Sequence, residues 1–282
     1  MNQQFSKRRL TNNFMFFLTG AFTILSVSTL FAILGYIAYH GISSVNWDFF
    51  TKLPAPVGEK GGGIANSIVG SFKVIGLACL MGLPVGVFGA VYLAEYGNNR
   101  TGFAIRYCAD VLNGVPSIVM GIFAYAVVVL PMKHFSALSG SVALAIIMVP
   151  LMLRTTEEFI RLVPGNIREA GLALGVPQWK VVLRIILPTA SRGIITGGIL
   201  AVSRIAGETA PLIFTAFGNR FWDDGMLRPI ATLPHTIYTY AISPYEDWHK
   251  QAWAAALILM VIVLAGNTCA RMLMKSNRGA SH

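Results

Sequence analysis

Apolar residues fall into six long runs, at 14–39, 67–94, 108–130, 135–153, 193–217 and 252–274, separated by shorter polar stretches. As a helix, each run is long enough to cross about 30 Å of hydrocarbon. The first follows directly on Lys7, Arg8 and Arg9. A positive start before a hydrophobic stretch suggests a secretory leader, but this run is too long for one and no small-residue cleavage site closes it. It is expected to be an uncleaved first span. Glycines such as Gly82, Gly86, Gly89, Gly197 and Gly198 recur in the runs, as they do where helices approach closely in lipid. Pro84, Pro116 and Pro211 lie in or near runs and are expected to kink or interrupt helices packed against protein. No internal repeat or low-complexity tract appears. The expected organisation is one membrane domain over 14–274, between polar tails at 1–13 and 275–282.

The polar interruption between the fourth and fifth runs, residues 154–192, has a pattern of its own. From Arg168 to Pro188, apolar Leu172, Val176, Trp179 and Leu183 recur at spacings of three or four, a helical period. Arg168, Glu169, Gln178, Lys180 and Arg184 occupy the positions around them. Gly175 and Pro177 break the pattern, which predicts two short helices with a bend. Such a segment lies in the membrane interface as an anchor, or it docks a partner at the membrane surface.

Composition agrees with a membrane protein: 55% of residues are hydrophobic and only 12% charged. That is about half the charged fraction usual in soluble domains, too little to cover a water-exposed surface. The net charge of +10 does not point to nucleic acid, because the cations sit between apolar runs and form no basic face with aromatic platforms. They control topology instead. With the N-terminus inside, fourteen Lys and Arg fall in inside segments and six outside. The positive-inside rule then places both termini and the 154–192 loop in the cytoplasm. The outside segments 41–66 and 218–251 carry Trp47, Trp222, Asp223, Asp224, Trp248 and a Gly61-Gly62-Gly63 turn. They are solvated loops or a docking surface for an extracytoplasmic protein. Cys79, Cys108 and Cys269 are scattered, and the five histidines lack metal-ligand spacing, so no metal or other cofactor is expected. No P-loop, GxSxG or HExxH motif occurs, which leaves no case for hydrolysis by this chain.

One charged pair falls within a run: Arg204 and Glu208, in Ser203-Arg204-Ile205-Ala206-Gly207-Glu208. Four apart on a helix, they share a face. An arginine near the bilayer centre costs at least ~2.5 kcal/mol to insert, so it is paired or lines a polar path. Two roles follow. The pair neutralises itself and fixes packing, or the guanidinium contacts an oxyanion with its planar fork of donors. A carboxylate beside it then favours an anion that still carries a proton.

A resemblance sharpens these expectations. Glu169-Ala170-Gly171, Gly175 and Ile185-x-Leu187-Pro188 have the spacing of the EAA loop of ABC importer permeases, with Gly171 where alanine is usual. With the strings RIAGETAPL from Arg204, LAEYG from Leu93, VPSIVMG from Val115 and RTTE from Arg154, nearly the whole chain resembles the permeases of phosphate-specific ABC importers. The resemblance implies an all-α membrane fold of six transmembrane helices, of the type I importer (MetI-like) class. It implies a multi-pass, non-catalytic subunit of the bacterial inner membrane. Its expected partners are membrane lipid, a second homologous permease, two ATPase subunits and a periplasmic phosphate-binding protein. By the same resemblance Arg204 and Arg154 take part in phosphate passage, with Glu208 matching the acidic residue beside the former. Glu169, Ala170, Gly171, Gly175, Leu187 and Pro188 would couple the chain to the ATPase. Rival functions are a permease for sulfate or molybdate, a secondary transporter, and a membrane enzyme. The acidic neighbour of Arg204 disfavours fully ionised sulfate. Paired inverted halves or a His/Asp cluster, which the other two would need, are absent from the sequence.

Overall fold

The structure, a computed structural model, describes residues 2–56, 59, 61–222 and 225–276. Asp223, Asp224 and the tail from 277 lie outside the described residues. The described chain is helical apart from its connections, as backbone surrounded by lipid must be.

The central element is α7 (Ala137–Arg161), whose most apolar stretch is two-thirds buried inside the protein. Its start is fixed by a capping box between Ser136 and Ser139. Against it packs α3 (Ala65–Glu95), preceded by the long α1 (Asn2–Gly41) and the short α2 (Trp47–Thr51). The buried stripe on α3 facing α7 runs Val74, Ala78, Gly82, Gly86 and Ala90, one residue every helical turn, and Gly70 a turn earlier bears on Ile230 and Ala231 instead. A Cβ at Gly86 would stand 2.7 Å from Cβ of Met152, so the glycine sets how closely the two helices approach. Pro84 and Pro150 sit inside α3 and α7 without ending either helix.

The third apolar run, expected over 108–130, is broken. α4 (Arg100–Gly114) stops at Val115-Pro116, and α5 (Ser117–Ala124) departs from it. α5 continues through a π-helical turn, Tyr125–Val129, into α6 (Leu130–Met132). The second half is bent by 108° from the line of the first. Pro116 has no N–H to donate and holds Val115 in extended backbone, with φ −72° and ψ 135°. Counting the bent pair as one crossing gives six spans among the described residues, and five helices are each long and apolar enough alone.

The fifth run is also placed differently from its expected 193–217 limits. After α8 (Gly165–Ala173), α9 (Gln178–Val181) passes through a second π-helical turn, Val182–Ile186, into α10 (Leu187–Ala206). The whole helical rod therefore runs Gln178–Ala206. It ends at Gly207, and α11 (Ala210–Thr215) follows with Pro211 in its first turn. The outer loop leads to α12 (Leu233–Ala241) and to α13 (Glu246–Ser276). α1 rests on α13, with Tyr36 and Trp253 rings 5.3 Å apart, and otherwise presents its apolar side chains outward.

Candidate functional site

Three places hold the residues singled out by sequence: the break after α10, the 154–192 segment, and the junction of α3, α4 and α7.

At the break, Arg204 occupies the last turn of α10 while Glu208 lies beyond its end. The expectation of a shared helix face is therefore corrected. Gly207 caps the helix, its N–H reaching the Arg204 and Ile205 carbonyls, and the pair meets across the cap. Arg204 Nε stands 3.9 Å from Glu208 Oε1, beyond hydrogen-bond length. Among the described residues no hydrogen bond holds the Arg204 guanidinium, and its side chain is 42% exposed against 17% for Glu208. The cation is thus near enough to a carboxylate for partial neutralisation, and its fork of donors stays open.

α11 begins where this pair ends, and α5 lies across it. A Cβ at Gly121 of α5 would stand 2.6 Å from Pro211 Cα, so the two backbones touch. The bend at Pro116 and the break at Gly207 therefore belong to one elbow.

Arg154 is placed elsewhere. Its Nε donates to Asp110 Oδ1 at 2.8 Å and its Nη1 to Glu157 Oε2 at 3.2 Å. Thr155 packs on Gly197, because a Cβ there would be 2.8 Å from Thr155 Oγ1. Arg204 is two helical turns further along α10, roughly 10 Å at the usual rise. The two arginines stand at different depths and share no contact.

The 154–192 segment has the expected bend. α8 ends at Ala173, Gly175 takes a left-handed φ of +75° that favours glycine, and Pro177 caps α9. Gly171 is buried, and a Cβ there would stand 3.1 Å from Val181 Cγ2, which explains a residue this small. Glu169, Ala170, Gly175 and Pro188 are exposed, and Leu187 is half-buried. The apolar stripe read from sequence is split. Val176 packs on the buried cluster of Ile160, Val181, Val182 and Ile186. Leu172, Trp179 and Leu183 face outward, 45%, 56% and 52% exposed, with Leu174 beside them at 82%. These four apolar side chains are left uncovered beside the bend.

The third place was not legible as a site. Glu157, only 2% exposed, receives Arg106, Arg154 and Arg161. Arg106 Nε donates to Glu157 Oε1 at 2.7 Å, and its two other nitrogens donate to the carbonyls of Gly97 and Leu93 at the end of α3. Beside them Arg168 of α8 pairs at 2.6 Å with Glu95, also 2% exposed. In sequence Glu157 looks like part of a local ion-pair set with Arg154 and Arg161. Arg106 and Asp110, four apart on α4, were the one available signal of a charged face there, and of the two only Arg106 reaches the buried carboxylate while Asp110 stays exposed. Among the described residues no group of His, Cys, Asp and Glu is arranged to hold a metal.

The bundle of broken spans, with a charged pair at a helix break and an exposed apolar patch on a bent loop, defines a helical membrane transport component. Residues 82–278 match the family model described as binding-protein-dependent transport system inner membrane component, and the chain belongs to that family. It is a multi-pass inner-membrane protein with the fold of type I importer permeases.

Among its relatives is the phosphate transport system permease protein PstA of Xylella fastidiosa (strain Temecula1), 43% identical over 97% of this chain and 96% of that protein. The PstA of Yersinia pestis is 42% identical over 94% of this chain and 90% of that one. The probable PstA of Methanocaldococcus jannaschii is 36% identical over 92% of both. In fold the chain is similar to a bacterial ABC transporter that imports the acidic polysaccharide alginate, with TM-score 0.61, 13% identity, 94% of this chain and 99% of that one covered. It is likewise similar to the inward-facing MetNI methionine transporter, with TM-score 0.57, 16% identity, and 76% and 93% covered.

Proposed function

We propose that the chain is the permease subunit of an ATP-driven importer of inorganic phosphate, forming part of the passage and relaying motion to it. The observation that carries the substrate assignment is the open Arg204 guanidinium, 3.9 Å from the Glu208 carboxylate at a helix break. The cation offers donors to an oxyanion, and the carboxylate offers an acceptor to an oxyanion that keeps a proton. Dihydrogen and monohydrogen phosphate meet both conditions near neutral pH, whereas sulfate does not. The names of the PstA relatives agree with that chemistry. Arg154, on α7 roughly two helical turns from Arg204, meets the anion at a separate point of the passage or sets the local potential from its ion pairs with Asp110 and Glu157.

In this reading the family's general partners apply: another permease, an ATPase and a binding protein. We assign one homologous permease and two ATPase subunits to the complex, with both termini and the 154–192 segment in the cytoplasm. The lysine and arginine distribution supports that orientation. Leu172, Leu174 and Trp179 then face the ATPase, with Glu169, Ala170, Gly171 and Gly175 shaping the bent loop and Leu187-Pro188 leading back into the membrane. The chain itself catalyses no reaction. A binding protein delivers phosphate to the outer loops, and nucleotide-driven displacement of α8 switches the side to which the Arg204 break opens.

The test is radiolabelled phosphate uptake in cells lacking their own permease, with sulfate as the competing substrate. Wild type takes up phosphate and not sulfate. Arg204→Gln reduces uptake by roughly a hundredfold at unchanged membrane levels, as for the loss of a hydrogen bond from a charged donor to the anion. Normal uptake by Arg204→Gln shows the residue to be packing only, and wild-type transport of sulfate in place of phosphate refutes the substrate.

A further inference from the structure

The two buried carboxylates bind together elements that the backbone leaves separate. Glu95 is the last residue of α3 and holds Arg168 of α8. Two residues back, the Leu93 carbonyl accepts from Arg106 of α4, as does that of Gly97 just after the helix. The same guanidinium is seated on Glu157 of α7, which draws in Arg154 and through it Asp110, again on α4. A planar fork that donates to three acceptors at once fixes direction as well as distance, and it does so where its carboxylate partner is sealed from water. A hydrophobic cluster of Ala90, Leu93, Ala109 and Leu153 lies at the same junction. From there α4 runs to the bend at Val115-Pro116, α5 leaves the bend, and Gly121 bears on Pro211 next to the Arg204–Glu208 break.

We propose that Glu157, acting through Arg106, is a positioning residue that makes α4 move as one block with α3, α7 and the loop helix α8, so that displacement of α8 reaches the elbow beside Arg204. This rests on the proposal that the 154–192 segment receives motion from an ATPase. The device is a clamp followed by a lever. Arg168–Glu95 and Arg106–Glu157 are the clamp, α4 is the lever arm, and Pro116 is the point where the arm turns. Substrate need not touch any of the clamp residues.

The test uses the full chain in its assembled complex in lipid nanodiscs and proteoliposomes, with spin labels at Tyr107 on α4 and Asn166 on α8, both exposed and neither in the patch assigned to the ATPase. In wild type the distance between labels is the same with and without nucleotide, because both helices belong to one block. In Glu157→Gln the distance distribution broadens or becomes nucleotide-dependent, and phosphate moved per ATP hydrolysed falls roughly tenfold while complexes still assemble. Glu157→Asp restores part of the ratio. Glu158→Gln, an exposed carboxylate one residue on, leaves both readouts at wild type. If Glu157→Gln does not assemble, Arg106→Lys serves, since an ammonium keeps the charge but cannot span the three acceptors; it must give the same broadening. A wild-type distance that changes with nucleotide overturns the proposal. So does a Glu157→Gln or Arg106→Lys complex with wild-type distances or wild-type coupling. Absence of phosphate uptake by wild type counts against the substrate assignment alone, because the label distances are read without substrate.

Discussion

The contact between α5 and α11 allows a prediction in numbers. In Gly121→Ala the new methyl would lie 2.6 Å from Pro211 Cα and 3.4 Å from Pro211 N and Cβ. Carbon atoms rest comfortably at about 3.5–4.0 Å, so the two helices must separate by about 1 Å or bend apart. Overpacking of this kind costs about 1–3 kcal/mol, and replacing a mid-helix glycine by alanine returns about 1 kcal/mol of helix propensity. The expected result is a loss between about 0 and 2 kcal/mol. Gly76→Ala is the matched control: it is also inside a helix, α3, but no atom lies within 4 Å of its added methyl. It gains the propensity without the clash. The two variants should therefore differ by about 1–3 kcal/mol, or several degrees in unfolding midpoint at this chain length. Thermal unfolding of the purified protein in nanodiscs, followed by tryptophan fluorescence, measures the difference. A Gly121→Ala protein as stable as Gly76→Ala would refute the claim that these backbones touch.

Two further predictions concern the two faces of the membrane. Leu174→Asp or Trp179→Asp places a charge in the exposed apolar patch, and co-purification of the ATPase should fall at least tenfold while membrane levels of the chain stay constant, as for a buried interface anchor. Retained ATPase would remove this patch from the interface. On the outer side, burial holds the His235 imidazole below its usual value of 6.5, and its ring lies against Gly218, whose φ is +80°. The unfolded chain then takes up the proton first as pH falls. The contribution of the neutral imidazole is complete above 6.5 and is lost on acidification from there towards the folded-state value. The midpoint of unfolding should drop over that range in wild type, and His235→Gln should flatten this part of the profile.

Much of the architecture was determined by the sequence alone. Six apolar runs of spanning length, cations biased to one side of them, and the Gly175-Pro177 interruption follow from local physics: burial of apolar surface in lipid, the cost of moving charge across it, and the backbone limits of glycine and proline. Arg204 and Glu208 could be singled out for the same reason, since a charge in an apolar run always needs a partner or a path. Tertiary structure decided the rest. Pro84 and Pro116 look alike as letters, yet α3 continues through one and α4 ends before the other. Spacing by four implied a helix face for Arg204 and Glu208, and the Gly207 cap replaced it with a junction. The Leu172–Leu183 stripe has helical period whichever side it shows, and only the packing of Val181, Val182 and Ile186 drew Val176 inward and left Leu172, Trp179 and Leu183 outside. Glu157 depended wholly on the fold. Its partners Arg154 and Arg161 are near in sequence, but Arg106 is 51 residues away, and only the meeting of α3, α4 and α7 excludes water from that carboxylate and gives it three arginines.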